Sequence, residues 1–199
     1  MNHYQELTLL QHEKIPLYAL WSKVYTQLHL ALTELQAALG EGKVGVAFPE
    51  YVFDAEAQMG KLGSKLRVFA ADAAVLQQLN LSQHLRRYAD YVQLSDVLAV
   101  PESVCGHVSF ARVQVKSGAE RAARRLIKRH PELDYTTELA RLQGLSAHSA
   151  LPFIQMHSLS SQQLFRLFIA KTSQPQAQTG DFGSYGLSCV DTVPDFLQS

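Results

Sequence analysis

The chain has little of what marks the specialised classes of protein. Its 199 residues include only two cysteines, Cys105 and Cys189, so we expect reduced thiols in a cytoplasmic protein rather than a disulfide framework. No apolar run approaches the roughly 20 residues of a membrane span. The first residues, MNHYQELTLLQHEK, lack a basic start followed by an apolar core. We therefore expect neither a secretion signal nor a membrane protein.

The sequence also lacks the spacings that bind metals. None of its eight histidines forms an HxxxH or HxH pair, and it contains no CxxC. His148 and His157 fit no ligand pattern either. We expect no metal site and no small-molecule cofactor.

The apolar pattern that is present predicts the order β-α-β-β-α-β over about the first hundred residues. Alternation and helical spacing predict strands at 4–11, 43–51, 65–71 and within 91–101, a helix over Leu17–Leu39 after Pro16, and a helix after Asp72. This order is the ferredoxin-like arrangement, a sheet with helices on one face.

The second half of the chain predicts a smaller α+β unit. Its elements are a strand at 107–116, a basic helix, a second short helix, and two strands joined by the polar turn SLSS (158–161). We therefore predict an α+β protein with a ferredoxin-like domain at 1–101 and an arginine-rich-helix domain at 102–199. No Gly/Ser-rich linker separates the two, so we expect them to pack closely.

Charge is balanced overall but concentrated locally. The chain has 18 Lys and Arg against 18 Asp and Glu. The stretch RVQVKSGAERAARRLIKRH, residues 112–130, holds seven of those cations and one acid, so it carries +6 and the other residues carry −6. A concentrated positive segment in a neutral chain favours a polyanionic partner.

This stretch is predicted to contain a helix with two different faces. Ser117 and Glu120 have the spacing of a capping box, which predicts a helix start at about Gly118. At about 100° per residue, five cations share an arc of roughly 140°, and the second face is mainly apolar. The cations are Arg121, Arg124, Arg125, Lys128 and Arg129, and the second face holds Ala122, Ala123, Leu126, Ile127 and His130.

Three interpretations of this cationic face are open: a solvated surface, a helix lying on a membrane, and a nucleic-acid contact. A membrane helix would carry Trp or Phe anchors, which the alanine-rich face lacks. Charges of one sign repel each other unless a polyanion covers them, which favours nucleic acid. A DNA-binding regulator is disfavoured because nothing resembles a helix-turn-helix unit.

The strand before the helix is consistent with RNA or DNA contact. Alternation places Arg112, Gln114 and Lys116 on one face, with neighbours about 7 Å apart. Arg can bind guanine and Gln can bind adenine through two hydrogen bonds each, although any surface strand alternates in the same way. The major groove of regular A-form RNA is too deep and narrow for side chains to read, so an RNA partner is expected to be a short hairpin.

The combination of segments resembles one family, the CRISPR repeat-processing endoribonucleases of type I-F (Csy) systems. The resemblance runs through LHLAL (28–32), VGVAFP (44–49), SFARVQVKS and ERAARRLIKRH (109–130), LPF (151–153), FRLFI (165–169) and SYGLS (184–188). It implies metal-independent cleavage of precursor CRISPR RNA at the 3′ base of each repeat hairpin. The implied products carry a 2′,3′-cyclic phosphate and a 5′-OH. It also implies that the protein stays on the product RNA with other subunits of an effector complex.

The resemblance also implies roles for individual residues. His29 is the general base and lies at the border of the apolar stripe of the first helix. Ser158 fixes the attacking 2′-OH, Tyr185 orients His29, and Phe165 stacks under the terminal base pair. Arg112 and Gln114 read bases at the stem foot, and Arg125, Lys128 and Arg129 enter the groove with Arg121 and Arg124 nearby. An imidazole, with an ordinary pKa of about 6.5, suits proton transfer at neutral pH.

Each of these residues also has an ordinary structural interpretation. His29 could be a bystander on a helix, Ser158 a turn serine, and Phe165 a core strand residue that alternates with Leu167 and Ile169. The rival function is a catalytically inactive CRISPR RNA-binding scaffold that keeps the fold and the basic helix.

Overall fold

The structure, a computed structural model, describes residues 1–40, 42–114, 119–144, 150–158 and 163–196. The strands are β1 (His3–Leu9), β2 (Val44–Ala47), β3 (Val52–Asp54), β4 (Met59–Lys61), β5 (Lys65–Ala70), β6 (Val92–Leu94), β7 (Leu98–Ala99), β8 (Gly106–Val113), β9 (Phe153–His157), β10 (Leu164–Gln174) and β11 (Val193–Asp195). The helices are α1 (Leu17–Leu39), α2 (Ala73–Leu79), α3 (Leu81–His84), α4 (Ala119–Arg129) and α5 (Tyr135–Gly144), and a 3₁₀ helix spans Arg86–Tyr91.

The first half has the predicted ferredoxin-like topology. Its sheet has the order β2-β5-β1-β6, all neighbours antiparallel, and β7 pairs with β1 beyond the end of β6. The α+β class and the order β-α-β-β-α-β are therefore confirmed. The exposed β3-β4 hairpin and the short α3 were not predicted, and the single strand predicted within 91–101 is two short strands, β6 and β7.

Helix α1 has the predicted bounds and the predicted buried stripe. Pro16 precedes it with an extended backbone, and Gly40 ends it at φ 85°, a left-handed backbone that glycine adopts without strain. The predicted stripe is buried throughout, at Leu20, Val24, Leu28, Ala31, Leu32 and Leu35. Across the described ranges, no helix combines the length and the apolarity that crossing a membrane requires.

The second half forms a four-stranded antiparallel sheet in the order β11-β8-β10-β9. Strand β8 matches the predicted strand up to Val113, while Lys116 and the capping serine Ser117 lie outside the described residues. The predicted SLSS turn is described only at Ser158. Strand β11 was not predicted, because three residues containing a proline carry too weak a pattern.

One hydrophobic core joins the two halves. Helix α1 of the first half packs along β9 of the second, and Phe48 meets Phe110 edge-on with ring centroids 5.3 Å apart. Phe196 packs against Tyr4 of β1 at 5.1 Å. The two halves pack closely, as expected, but the division into domains at 101/102 stays a prediction.

A buried ion pair fastens the end of the described chain to the first sheet. Glu6 and Arg67 are register partners on β1 and β5, and Arg67 Nε lies 2.8 Å from Glu6 Oε2 with both side chains more than nine-tenths buried. Arg67 also donates to the Phe196 carbonyl at 2.7 Å, and its guanidinium lies 4.1 Å from the Phe196 ring centroid. One arginine thus holds both a sheet carboxylate and the returning chain.

We expect Arg67→Met to lower the free energy of unfolding by up to about 3–5 kcal/mol, the loss for an uncompensated buried charge, because the Glu6 carboxylate loses Arg67 and keeps Lys65 Nζ at 3.0 Å. Urea denaturation measures this. Arg141→Met removes the exposed partner of Glu138 in an ion pair at the surface of α5 and should change the midpoint much less. Equal losses in the two variants would contradict the role given to Arg67.

Candidate RNA-processing site

His29 lies on α1 beside a loop contributed by the second half of the chain. Its Nδ1 is 2.8 Å from the carbonyl oxygen of Ser184, and its ring stacks on the ring of Tyr185 with centroids 4.2 Å apart and planes 13° apart. A carbonyl oxygen can only accept a hydrogen bond, so Nδ1 carries the proton. In the neutral imidazole the lone pair is therefore on Nε2, which can accept a proton.

The loop that holds His29 is a tight backbone turn at residues 183–187. Gly186 donates its N–H to the Gly183 carbonyl at 2.8 Å, Gly183 donates to Leu187 at 3.0 Å, and Val46 of β2 donates to Gly186 at 2.9 Å. Gly186 has φ 69°, and a Cβ added there would lie 2.6 Å from Val46 Cγ1. Both the backbone angle and the close strand therefore require glycine at this position.

Arg112 connects this loop to the second sheet. Its guanidinium carbon lies 5.5 Å from the ring centroid of Phe165 on β10 and 5.5 Å from that of Tyr185, within the range of cation–π attraction. Arg112 itself is exposed on β8, and Gln114 just beyond the strand is also exposed. The structure thus brings His29, Tyr185, Arg112 and Phe165 into one contiguous group.

Ser158 lies where β9 ends and the connection to β10 begins. Its backbone N–H donates to the Gln163 carbonyl at 2.9 Å, so this end of the connection is held by the hairpin. Phe165 pairs with Met156 in the same hairpin, and its ring is half-buried. Since α1 packs along β9, the hairpin and the histidine helix are neighbours.

The basic helix is α4, and it has the predicted two faces. All five cations are exposed, namely Arg121, Arg124, Arg125, Lys128 and Arg129, whereas Ala123 is fully buried and Leu126 and Ile127 are half-buried. His130 was predicted on the docked face, and this was wrong. It follows the end of the helix, is exposed, and lies 3.1 Å from the Glu132 carboxylate.

Tyr25 also contacts the loop and was not predicted from the sequence. Tyr25 lies one helical turn before His29, and its hydroxyl donates to the Tyr185 carbonyl at 2.9 Å. Its spacing from His29 was the available signal, because residues i and i+4 share one side of a helix. A buried aromatic on a helix is ordinarily taken as core.

No group of three or more His, Cys, Asp or Glu side chains in the described ranges is arranged to hold a metal ion.

The fold and this group of side chains define a ferredoxin-like α+β protein with one oriented histidine and one exposed cationic helix. The chain belongs to the CRISPR-associated Csy4 family: the family described as CRISPR-associated protein (Cas_Csy4) matches residues 4–196.

Two relatives support the assignment along the full length. The CRISPR-associated endonuclease Cas6/Csy4 of Escherichia coli (strain UTI89 / UPEC) is 36% identical over 201 residues, covering 98% of this chain and 100% of the relative. The protein of the same name from Pseudomonas aeruginosa (strain UCBPP-PA14) is 34% identical over 198 residues, covering 98% and 100%.

We expect Gly186→Ala to destabilise the protein by at least about 1 kcal/mol, because alanine is strained at positive φ and its methyl group would meet Val46. Thermal unfolding measures this. Gly183→Ala is the matched control within the same loop, since its added Cβ would lie 3.6 Å from the nearest atom, the Leu187 oxygen. A midpoint lowered equally in both variants would show that the loop has no special requirement at Gly186.

Proposed function

We propose that the protein is a metal-independent endoribonuclease that cuts precursor CRISPR RNA at the 3′ base of the repeat hairpin. Membership of the family and two relatives named endonucleases support nuclease activity. The observation that carries the mechanism is the 2.8 Å contact between His29 Nδ1 and the Ser184 carbonyl. It fixes the tautomer in which Nε2 can act as a base.

In the proposed reaction the ribose 2′-oxygen attacks the adjacent phosphorus. His29 Nε2 takes the 2′-OH proton as the 2′-O–P bond forms and the P–O5′ bond breaks, which leaves a 2′,3′-cyclic phosphate and, once the leaving oxygen is protonated, a 5′-OH. The Tyr185 ring against the imidazole restricts its rotation, and a fixed base is what in-line attack requires. Tyr185 is therefore an orienting residue.

The residues around His29 supply a surface for the foot of an RNA stem. The half-buried ring of Phe165 offers a stacking surface for the terminal base pair, and the Arg112 guanidinium between two rings is held at the edge of that surface. Arg112 and Gln114 can then bind base edges through paired hydrogen bonds. We assign Ser158, which follows the end of β9, to the 2′-OH on the basis of the family resemblance.

We propose that helix α4 binds the RNA hairpin. Its five exposed cations form a single-sign face on a neutral protein, and phosphates are the polyanion that such a face attracts. The major groove of A-form RNA widens near the end of a stem or near a loop, so a helix can enter it there. Lys116, outside the described residues, is assigned to the same contact from the sequence alone.

We further propose that the protein works in the cytoplasm, remains bound to the product CRISPR RNA and joins other subunits of a type I-F effector complex. A face of five cations displaces several counterions from the RNA when it neutralises phosphates, and the base contacts proposed for Arg112 and Gln114 add to this affinity. Tight binding of the product is what a retained subunit needs.

His29→Ala is expected to slow cleavage of the repeat hairpin by about 10²–10⁴-fold, the usual loss for a general base, while hairpin affinity stays nearly unchanged. Single-turnover kinetics and filter binding measure the two quantities. His84→Ala is the control. His84 is the last residue of α3, its Nε2 lies 3.6 Å from Oε2 of Glu34 on α1, and it has no assigned role. Wild-type cleavage should persist in EDTA.

Cleavage that EDTA abolishes would refute the metal-independent mechanism. Full cleavage by His29→Ala would refute the role of the base. Binding without any cleavage by the wild-type protein would favour the inactive scaffold.

Arg125→Gln and Arg129→Gln are each expected to flatten the salt dependence of hairpin binding by about one phosphate equivalent. The measurement is the dissociation constant across a range of salt concentrations. Arg87→Gln removes the same charge from an exposed position on the 3₁₀ helix and should leave the slope unchanged. An unaltered slope in the α4 variants would mean that this helix is only a solvated face.

A further inference from the structure

Two adjacent carbonyl groups of the 183–187 loop accept hydrogen bonds from two side chains of α1. The Ser184 carbonyl accepts from His29 Nδ1 at 2.8 Å, and the Tyr185 carbonyl accepts from the Tyr25 hydroxyl at 2.9 Å. Tyr25 and His29 are one helical turn apart, so the two donors lie on one side of a rigid element. The peptide unit between these carbonyls is therefore held to the helix at two points.

Tyr25 is the more firmly fixed of the two donors. Its side chain is completely buried, with its ring stacked on Phe48 at 6.1 Å and meeting Trp21 edge-on at 6.5 Å. Burial raises the pKa of Tyr25 far above its ordinary value, and the nearby Tyr185 phenol adds to the rise. The hydroxyl consequently keeps its proton and remains a donor at every pH at which the protein would be assayed.

We propose that Tyr25 is a positioning residue for His29: its hydroxyl fixes the 184–185 carbonyl pair so that Ser184 accepts the Nδ1 proton. This inference rests on the proposed function, in which His29 is the general base. The hydrogen bond made by one ring nitrogen of an imidazole determines which of the two nitrogens carries the proton. Without the hydrogen bond from Tyr25, the loop can turn the Ser184 carbonyl away from His29. The imidazole can then take the other tautomer, in which Nε2 is protonated and cannot act as a base.

The test compares Tyr25→Phe with Tyr51→Phe. Tyr51 is the matched control because its hydroxyl also donates to a backbone carbonyl, that of Ile169 at 3.0 Å, but this carbonyl belongs to β10 rather than to the loop at His29. Each variant loses one phenol oxygen and keeps its ring. Both are assayed well below their unfolding midpoints.

The first measurement is the ¹⁵N spectrum of the His29 imidazole in the protein without RNA. In the wild-type protein the neutral ring should be protonated at Nδ1. In Tyr25→Phe a substantial fraction should move to the Nε2-protonated form, and Tyr51→Phe should match the wild type. This measurement does not depend on cleavage, so it tests the positioning even if the proposed function fails.

The second measurement is the single-turnover cleavage rate with the hairpin saturated by protein. Tyr25→Phe should lower the rate by about 10–100-fold, by analogy with the loss that follows removal of an outer-shell partner of a metal-bound histidine, with hairpin affinity unchanged. In a His29→Ala background the same substitution should cost nothing further, because the two residues act through one group.

An unchanged tautomer in Tyr25→Phe would overturn the proposal, and so would an equal loss of rate in Tyr51→Phe. An additional loss of rate in the His29→Ala background would also overturn it, since a general structural role would produce that result. A shifted tautomer together with a wild-type protein that cuts no RNA would uphold the positioning and refute the proposed nuclease.

Discussion

The site depends on the hydrogen bond between the His29 imidazole and the Ser184 carbonyl. An imidazole at the border of a helix has two neutral tautomers and can rotate, whereas the proposed reaction needs one lone pair in one place. The backbone carbonyl removes the choice of tautomer, and the Tyr185 ring 4.2 Å away restricts the rotation. The rest of the fold serves to bring this short loop to α1 and to keep it there.

The distribution of charge follows a similar division between rigid support and exposed function. Helix α4 buries Ala123 completely and leaves its five cations in solvent, whereas Arg67 is almost fully buried and neutralised by Glu6 at 2.8 Å. The cations of α4 are thus exposed at the surface, whereas Arg67 is paired inside the protein. The net charge of zero therefore includes basic residues that are exposed and basic residues that are buried in ion pairs, and only the exposed ones contribute to long-range attraction.

Most of the fold could be predicted because its signals are local. Pro16 and the apolar stripe indicate α1, alternation indicates β1, and short apolar stretches indicate β5 and β10. The β3-β4 hairpin was missed because its strands have three residues each and are largely exposed, which leaves no alternation to detect. Around the site, His29 and Tyr185 could be named only through the family resemblance. The spacing of Tyr25 from His29 places both residues on one side of α1, but the role of Tyr25 could not be predicted, since its acceptor is a backbone carbonyl 160 positions away and a carbonyl has no sequence signature.

The same separation along the chain has a consequence for biosynthesis. Ser184 is 155 positions from His29, so the histidine helix leaves the ribosome long before the loop that orients it has been translated. Contacts of such long range form late in folding, after the loop-closure entropy has been overcome. A growing polypeptide therefore carries an imidazole whose tautomer is not yet fixed, and the oriented histidine arises only after the loop at residues 183–187 has been translated and has folded.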